Sequence, residues 1–207
     1  MPDPADSTTT HTQEAEFDPL EFWIRYKSKI QLYGGLLVVA LVAFGAYEWM
    51  QQRTKAASEA AYASAQTADD FRKVVSEYPR SVSAANAQLM LAEQLRKDGK
   101  IDDAISALRT FISQHPDHQL IPGAYLSLGS LLENQGKADD ALAAYQKVTT
   151  SYLSSYAAPL AWISQAKVLQ SKGKTEEARR AYETVINKFQ GSSFAREATV
   201  EEKKLSK

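Results

Sequence analysis

Two short stretches of this 207-residue chain carry residue types that could bind a ligand or a metal ion. The first, Gly173-Lys174-Thr175, matches the end of a phosphate-binding loop, in which backbone amides and a lysine hold the phosphate oxygens. That loop also requires a glycine five residues before its Gly-Lys step, where this chain has Val168. The stretch therefore lacks the part that would enclose a phosphate.

The second stretch contains His115 and His118, whose imidazole nitrogens could bind a metal ion. Asp117 is the one further ligand close by in sequence, whereas protein zinc sites use three or four. Pro116 lies between them, so we interpret the pair as part of a solvated linker. The motifs G-x-S-x-G, H-E-x-x-H and G-x-G-x-x-G are absent, as is cysteine. We predict no metal site, no cofactor, no small-molecule substrate and no enzymatic activity.

The Gly-Lys step is one of three that recur at a spacing of 37 residues: Gly99-Lys100, Gly136-Lys137 and Gly173-Lys174. An acidic pair and an alanine follow each step at the same distance. A fixed period in this range predicts a stacked array, in which each unit buries its apolar face on its neighbours. The Gly-Lys step of the third unit is then a turn and not a nucleotide site.

Each unit has the pattern of two helices joined by a turn. In the middle unit, Tyr125, Leu128, Gly129 and Leu132 follow the i, i+3, i+4, i+7 spacing of one helix face. Gly136 is expected to end that helix, since glycine adopts a left-handed backbone without a steric penalty. The acidic pair then starts the second helix, where the helix dipole favours negative charge.

These positions resemble the tetratricopeptide repeat, whose pattern is Trp-x2-Leu-Gly-x2-Tyr, then Ala-x3-Phe, then Pro. The resemblance implies an all-α fold: a right-handed α-solenoid of about three helix-turn-helix repeats, closed by a capping helix that starts at Ser193. It also implies that the partners are other proteins or peptide segments. The matching residues are Leu91, Ala92, Leu95, Ala104, Leu108 and Pro116 in the first unit, Tyr125, Leu128, Gly129, Leu132, Ala141 and Tyr145 in the second, and Trp162, Ala166, Leu169, Ala178 and Tyr182 in the third.

The period departs from the usual 34 residues of this repeat. Spacings within a unit are conventional, so the three extra residues fall between units, in 117–122 and 154–159. Linkers of this length resemble those of bacterial envelope repeat proteins. We place the repeat domain at residues 67–207.

A segment without charge runs from Ile30 to Tyr47 and predicts a transmembrane helix. At 1.5 Å per residue it spans about 27 Å, close to the thickness of a bilayer core. Asp18 followed by Pro19 is typical of a helix start. We therefore predict a signal-anchor helix over residues 18–50, which contacts lipid through residues 30–50. It follows a disordered cytoplasmic tail over residues 1–17 and continues as a helical stalk over residues 51–66.

Two alternatives to a retained anchor are a buried helix and a cleaved signal peptide. A buried helix of a globular domain is disfavoured, because nothing else in the chain could cover so apolar a helix on every side. A cleaved signal peptide could use Ala43-Phe44-Gly45 as its cleavage site. However, the 29 residues before the apolar segment are acidic, whereas signal peptides begin with a short basic region.

Orientation follows from the cations that flank the segment: Arg25, Lys27 and Lys29 before it, Arg53 and Lys55 after it. The excess on the first side predicts a cytoplasmic N-terminus. Together with the resemblance to bacterial envelope repeat proteins, this implies a periplasmic repeat domain at a bacterial inner membrane. Residues 48–207 carry 21 basic and 19 acidic side chains, from totals of 24 and 25. That balance argues against a nucleic-acid partner.

The candidate binding surface lies one step round from the core stripe of each first helix. Aliphatic residues recur there every 37 positions with polar residues beside them, and in the resembled repeats this face lines a groove that binds peptides. The residues are Leu89, Glu93 and Arg96, Leu126, Ser130 and Glu133, and Ile163, Lys167 and Gln170. The mixed charge predicts recognition of apolar segments. The alternative is that the three aliphatic residues pack against the adjacent repeat.

In architecture the chain also resembles the membrane-anchored ancillary subunit of bacterial Sec translocons. That resemblance implies binding to translocon components, emerging chains or periplasmic chaperones. Two alternatives remain open: a cytosol-facing adaptor or import receptor, and a structural scaffold of an envelope or division complex.

Overall fold

The computed structural model describes residues 18–205, and over that range it consists of nine α-helices without a β-strand. The predicted disordered tail, residues 1–17, lies outside the described residues. The helices are α1 (Pro19–Ser64), α2 (Ala68–Glu77), α3 (Val82–Lys97), α4 (Ile101–Gln114), α5 (Ile121–Asn134), α6 (Ala138–Ser151), α7 (Ala158–Ser171), α8 (Thr175–Lys188) and α9 (Ser193–Lys204).

The chain divides into two compact units, Met1–Arg53 and Thr54–Lys207. Within the described residues, the first unit consists of α1 up to Arg53 and the residue before it. The Asp18 carboxylate caps the helix, since its Oδ1 atom accepts hydrogen bonds from the amides of Leu20 at 2.8 Å and Glu21 at 3.4 Å. The helix start predicted from the sequence is confirmed.

The apolar part of α1 is long enough to cross a membrane by length and composition, and none of it is buried in the protein. Aromatic side chains and cations are paired near both ends of this stretch. Lys29 Nζ lies 5.9 Å from the centre of the Tyr26 ring, and the Arg53 guanidinium carbon lies 4.6 Å from the centre of the Trp49 ring. The helix is therefore a candidate transmembrane span.

The second unit is a row of helix pairs, in which each helix from α2 to α9 packs against the next. The first helices of neighbouring units also stack, α5 on α7 and α7 on α9. One continuous core runs through the repeats, and the largest side chains in it occupy the positions with the 37-residue period. Among these are Phe111, Tyr145, Tyr182 and Val185, each at most 1 % exposed.

The three Gly-Lys turns are the same turn repeated. Gly99, Gly136 and Gly173 all have φ of 74°, the left-handed conformation that glycine favours. After each glycine, the lysine amide donates to a carbonyl five residues earlier, at 2.8 to 2.9 Å. This closes the preceding helix by the pattern known as the Schellman motif. The backbone amide of Lys174 is therefore occupied by a hydrogen bond within the turn.

Connections between units are longer than the turns within them, as the period predicts. Residues 115–120 join α4 to α5 and residues 152–157 join α6 to α7, whereas three residues join the helices inside each unit. The two linkers overlap the stretches to which the sequence assigns the extra residues.

The end of α1 belongs with the repeats. Ser58 is 1 % exposed, and its hydroxyl donates to the Lys55 carbonyl at 2.8 Å and lies 3.2 Å from the Ser83 hydroxyl. Ser58 also stands 37 residues before Leu95, a buried core position of the first unit. The periodic register therefore extends one step upstream into α1. A buried polar residue is tolerated there because another hydroxyl pairs with it.

Both ends of the array have clear helix caps. Thr67 and Asp70 form a reciprocal capping box at the start of α2. At the other end, the Ser192 side chain accepts a hydrogen bond from the Ala195 amide at 3.1 Å and starts α9. Helix α9 packs on α7 and α8 and buries Ala195 and Ala198, so it covers the last apolar face of the array.

Candidate functional site

A groove of about 530 Å³ lies between α3 and α5, the first helices of the first two units. Five of the nine residues predicted for the binding surface line it: Leu89, Glu93, Arg96, Leu126 and Ser130. The groove is located where the stacking of first helices differs along the array. Helix α5 packs directly on α7, whereas the groove separates α3 from α5.

The floor of the groove is apolar. Leu89 of α3 and Leu126 of α5 are half-buried, and both line it. Alanine side chains allow the space between them to remain open. The further apolar lining consists of Ala92, Leu108, Leu120, Ala124 and Leu131. A partner would therefore gain free energy by burying apolar groups here, at about 25 cal/mol per Å².

The charges at the groove are already paired. Arg96 donates to both carboxylate oxygens of Glu93, at 2.8 Å from Nε and 2.7 Å from a terminal nitrogen. The hydrogen bond from Arg96 holds the pKa of Glu93 below its ordinary value, and Glu93 raises the pKa of Arg96 in turn. Among the residues that line the groove, these two are the charged ones. Neither cation nor anion is left to clamp a charged terminus of a peptide.

A tyrosine that was not predicted from the sequence also lines the groove. Tyr156 lies in the linker before α7, and its phenol covers Gly123 in the first turn of α5. A Cβ atom at position 123 would collide with the Tyr156 hydroxyl, so the contact requires glycine. Tyr156 is nevertheless 62 % exposed. A glycine within an apolar helix start was the available signal, since such a residue often marks close packing.

Four predicted surface residues lie outside the groove. The Glu133 carboxylate accepts a hydrogen bond from the Tyr145 hydroxyl at 2.8 Å. Ile163 is 2 % exposed and is part of the core. Lys167 pairs with Glu197 of α9 at 3.0 Å, and Gln170 is exposed on α7. The third unit therefore contributes none of its three predicted residues to the groove.

The two histidines are used in packing at the first linker. Both rings lie against Phe111, with ring centres 5.5 Å away for His115 and 5.3 Å for His118. The Leu120 amide donates to His118 Nδ1 at 3.2 Å. Burial lowers the pKa of His118, and His115 adds to the effect. Within the part of the chain that the structure describes, no group of three or more potential ligands is arranged for a metal ion.

Comparison with known families agrees with the repeat geometry. The model of the tetratricopeptide repeat-like domain matches residues 21–206, nearly the whole chain. The chain belongs to this family. Members of the family typically act as non-catalytic interaction modules, and the fold is that of a protein–protein interaction module.

Solved structures of similar fold include tetratricopeptide repeat proteins. A crystal structure of MamA is 23 % identical, with a TM-score of 0.50 over 67 % of this chain and 84 % of that one. BtubC (BKLC) from P. vanneervenii is 18 % identical, with a TM-score of 0.51 over 71 % and 62 %. A putative kinesin light chain from Podosopora anserina, with nearly identical TPR-like repeats, is 13 % identical, with a TM-score of 0.53 over 75 % and 89 %. These likenesses concern the fold. Among curated proteins, none matches the sequence.

Proposed function

We propose that this protein is a membrane-anchored interaction module that binds uncharged, apolar segments of other proteins in the groove between α3 and α5. The observation that carries the proposal is an apolar floor beside charges that are paired with each other. A site built to hold a carboxylate would present an unpaired cation. This groove favours aliphatic or aromatic side chains.

Recognition at this groove is broad and weak. Its volume suits a few side chains of a partner, and no charge fixes their direction. The polar margin consists of Ser127, Ser130 and Asn134, which can hydrogen-bond a peptide backbone of any sequence. Such a site discriminates by apolar area more than by sequence, and binding energy comes from burial on the floor.

The anchor is α1, which crosses the bilayer through residues 30–50. Support comes from the unburied apolar surface of that stretch and from the aromatic rings and cations near its ends. We propose a cytoplasmic N-terminus, residues 1–17, and a periplasmic repeat domain, residues 67–207, at a bacterial inner membrane. The excess of cations at Arg25, Lys27 and Lys29 supports this orientation.

The proposed clients are chains that emerge from a translocon, together with translocon components and chaperones. An emerging chain exposes apolar segments before it folds, and the groove is suited to such segments. Architecture adds support, because a single anchor followed by repeats resembles the ancillary subunit of Sec translocons. A cytosol-facing adaptor would have the opposite topology. A scaffold would bind one partner in fixed stoichiometry.

Site-specific photocrosslinking tests the groove. A crosslinking amino acid at exposed Ser127 should capture emerging chains, and Ser130→Trp, which fills the groove from an exposed position, should reduce capture at least tenfold. Ser106→Trp is the matched control, since Ser106 is an exposed serine of α4 away from this groove. Capture that persists in Ser130→Trp, with helicity and melting temperature unchanged, would reject the groove as the binding site.

A further inference from the structure

The first turns of α1 carry three cations within five positions: Arg25, Lys27 and Lys29. None of the three forms an ion pair with another residue that the structure describes, even though Glu21 lies four residues before Arg25. Residues 18–29 contain these three cations and two acidic side chains, Asp18 and Glu21, so their net charge is 3 − 2 = +1. This charge is available to a partner.

Aromatic rings are interleaved with these cations. Phe22 and Tyr26 have ring centres 4.8 Å apart, Lys29 lies over the Tyr26 ring, and Trp23 is 51 % exposed. Rings of this kind sit at the level of lipid headgroups. Consecutive helical residues are turned by about 100°, which places Arg25 and Lys29 on one side of α1 and Lys27 on the other. The cations therefore surround the helix within a rise of about 6 Å.

The other end of the apolar stretch differs in charge. Residues 48–59 contain Arg53 and Lys55 but also Glu48 and Glu59, a net of 2 − 2 = 0. Arg53 is stacked on Trp49, which directs its guanidinium group to a ring of its own helix. Each end thus has one cation over an aromatic ring, and the described N-terminal end has three cations without an ion pair against two, Arg53 and Lys55, at the other end. We call Arg25, Lys27 and Lys29 the cation collar.

We infer that residues 19–29 bind the headgroups of anionic phospholipids in the leaflet that they enter. The inference rests on the proposed span at residues 30–50, which would hold the collar at headgroup depth. Each cation near an anionic surface favours association about fivefold, or about 1 kcal/mol. Three cations on opposite sides of one helix can engage several lipids at once, so the site is a shell of anionic lipid around the helix.

Tryptophan quenching by brominated lipid tests the inference on the full chain in vesicles. In the Trp49→Phe variant, Trp23 reports on the collar, while Trp162 is common to all samples. Phosphatidylglycerol or phosphatidylcholine, brominated close to the headgroup, is added at equal mole fraction. We expect the association constant of phosphatidylglycerol at Trp23 to exceed that of phosphatidylcholine about fivefold, and the ratio to fall in 1 M salt, where screening is strong.

Charge variants provide the controls. Arg25→Gln, Lys27→Gln and Lys29→Gln together should bring the ratio close to one. The matched double variant, Arg53→Gln with Lys55→Gln, should leave it unchanged. In Trp23→Phe, where Trp49 reports on the other end, the two lipids should quench equally.

The outcomes separate this inference from the proposed anchor. Equal quenching of Trp23 by both lipids would show an inserted helix without lipid selectivity and would overturn the inference alone. A high ratio that survives the triple substitution would overturn it as well. No quenching by either lipid would remove both the membrane span and the inference.

Discussion

Two tyrosines at the same repeat position differ in what surrounds their hydroxyl groups. Tyr145 donates its hydroxyl to Glu133, whereas the Tyr182 hydroxyl is buried without a protein hydrogen-bond partner among the described residues. Burial raises the pKa of both, and that of Tyr182 reaches about 12. Residues that are 37 positions apart can therefore share a packing role and differ in polar chemistry.

The two tyrosines predict opposite effects of removing the hydroxyl. Tyr145→Phe should lower the free energy of unfolding by about 1 kcal/mol, since it removes a hydrogen bond to a carboxylate. Tyr182→Phe should leave stability unchanged or raise it by up to about 1 kcal/mol, because an unpaired buried hydroxyl disappears. Urea denaturation of residues 54–207 measures both. A larger loss of stability in Tyr182→Phe than in Tyr145→Phe would contradict the assignment of a hydrogen bond to Tyr145 and an unpaired hydroxyl to Tyr182.

His118 predicts a dependence of stability on pH. Its folded pKa lies below the ordinary value of 6.5. The unfolded chain therefore binds a proton more readily than the folded chain. The contribution of His118 to the free energy of unfolding is fully present above about pH 6.5 and is lost as the pH falls through the lower pKa of the folded state.

Denaturation of residues 54–207 at pH 7.5 and pH 5.5 checks the sign. His118→Asn keeps a side-chain acceptor for the Leu120 amide and removes the titration, so its stability should change less between the two conditions. An equal change in wild type and variant would assign the pH dependence to other groups.

At the level of helices, the turns were predictable and the groove only in part. The glycine turns follow from local backbone chemistry, and the linker lengths follow from the 37-residue period. Ile163 shows that repeat spacing alone does not decide whether a side chain is buried. Its spacing matches Leu89 and Leu126, but α7 packs on both α5 and α9, and it is this packing that decides burial. Tyr156 was also missed, because its contact with Gly123 joins residues 33 positions apart.

Substitutions at the glycine of the repeated turn should lower stability through backbone conformation alone. A Cβ atom at Gly136 would meet no atom within 4 Å, yet φ is 74° there. Gly136→Val should therefore lower the free energy of unfolding by about 1 to 2 kcal/mol or more, since a β-branched residue resists the left-handed conformation. Gly136→Asn is the matched control and should cost less, because asparagine enters this conformation more readily. Equal melting temperatures for the two variants would argue against backbone strain.

At the level of the whole chain, the proposed topology predicts where protease can act. Protease added to spheroplasts should digest the repeat domain and leave a short N-terminal fragment that contains α1 up to about Arg53. In lysed cells the residues before the span should also be cleaved. A repeat domain that resists protease until lysis would support the cytosol-facing alternative.

The contacts between units repeat along with the units. Gln135 donates to Asp102 at 2.9 Å, and Lys172 donates to Asp139 at 2.7 Å, at positions that are again 37 residues apart. Excision of residues 101–137 would join Lys100 to Ala138, which is the junction that each unit already makes, and would place Asp139 where Asp102 stood. The length of the array can thus change in steps of one unit by duplication or deletion within the gene, while the anchor and the cap stay as they are. Gain or loss of a unit would alter the length of the array and the number of its grooves, and it would require no new interface between units.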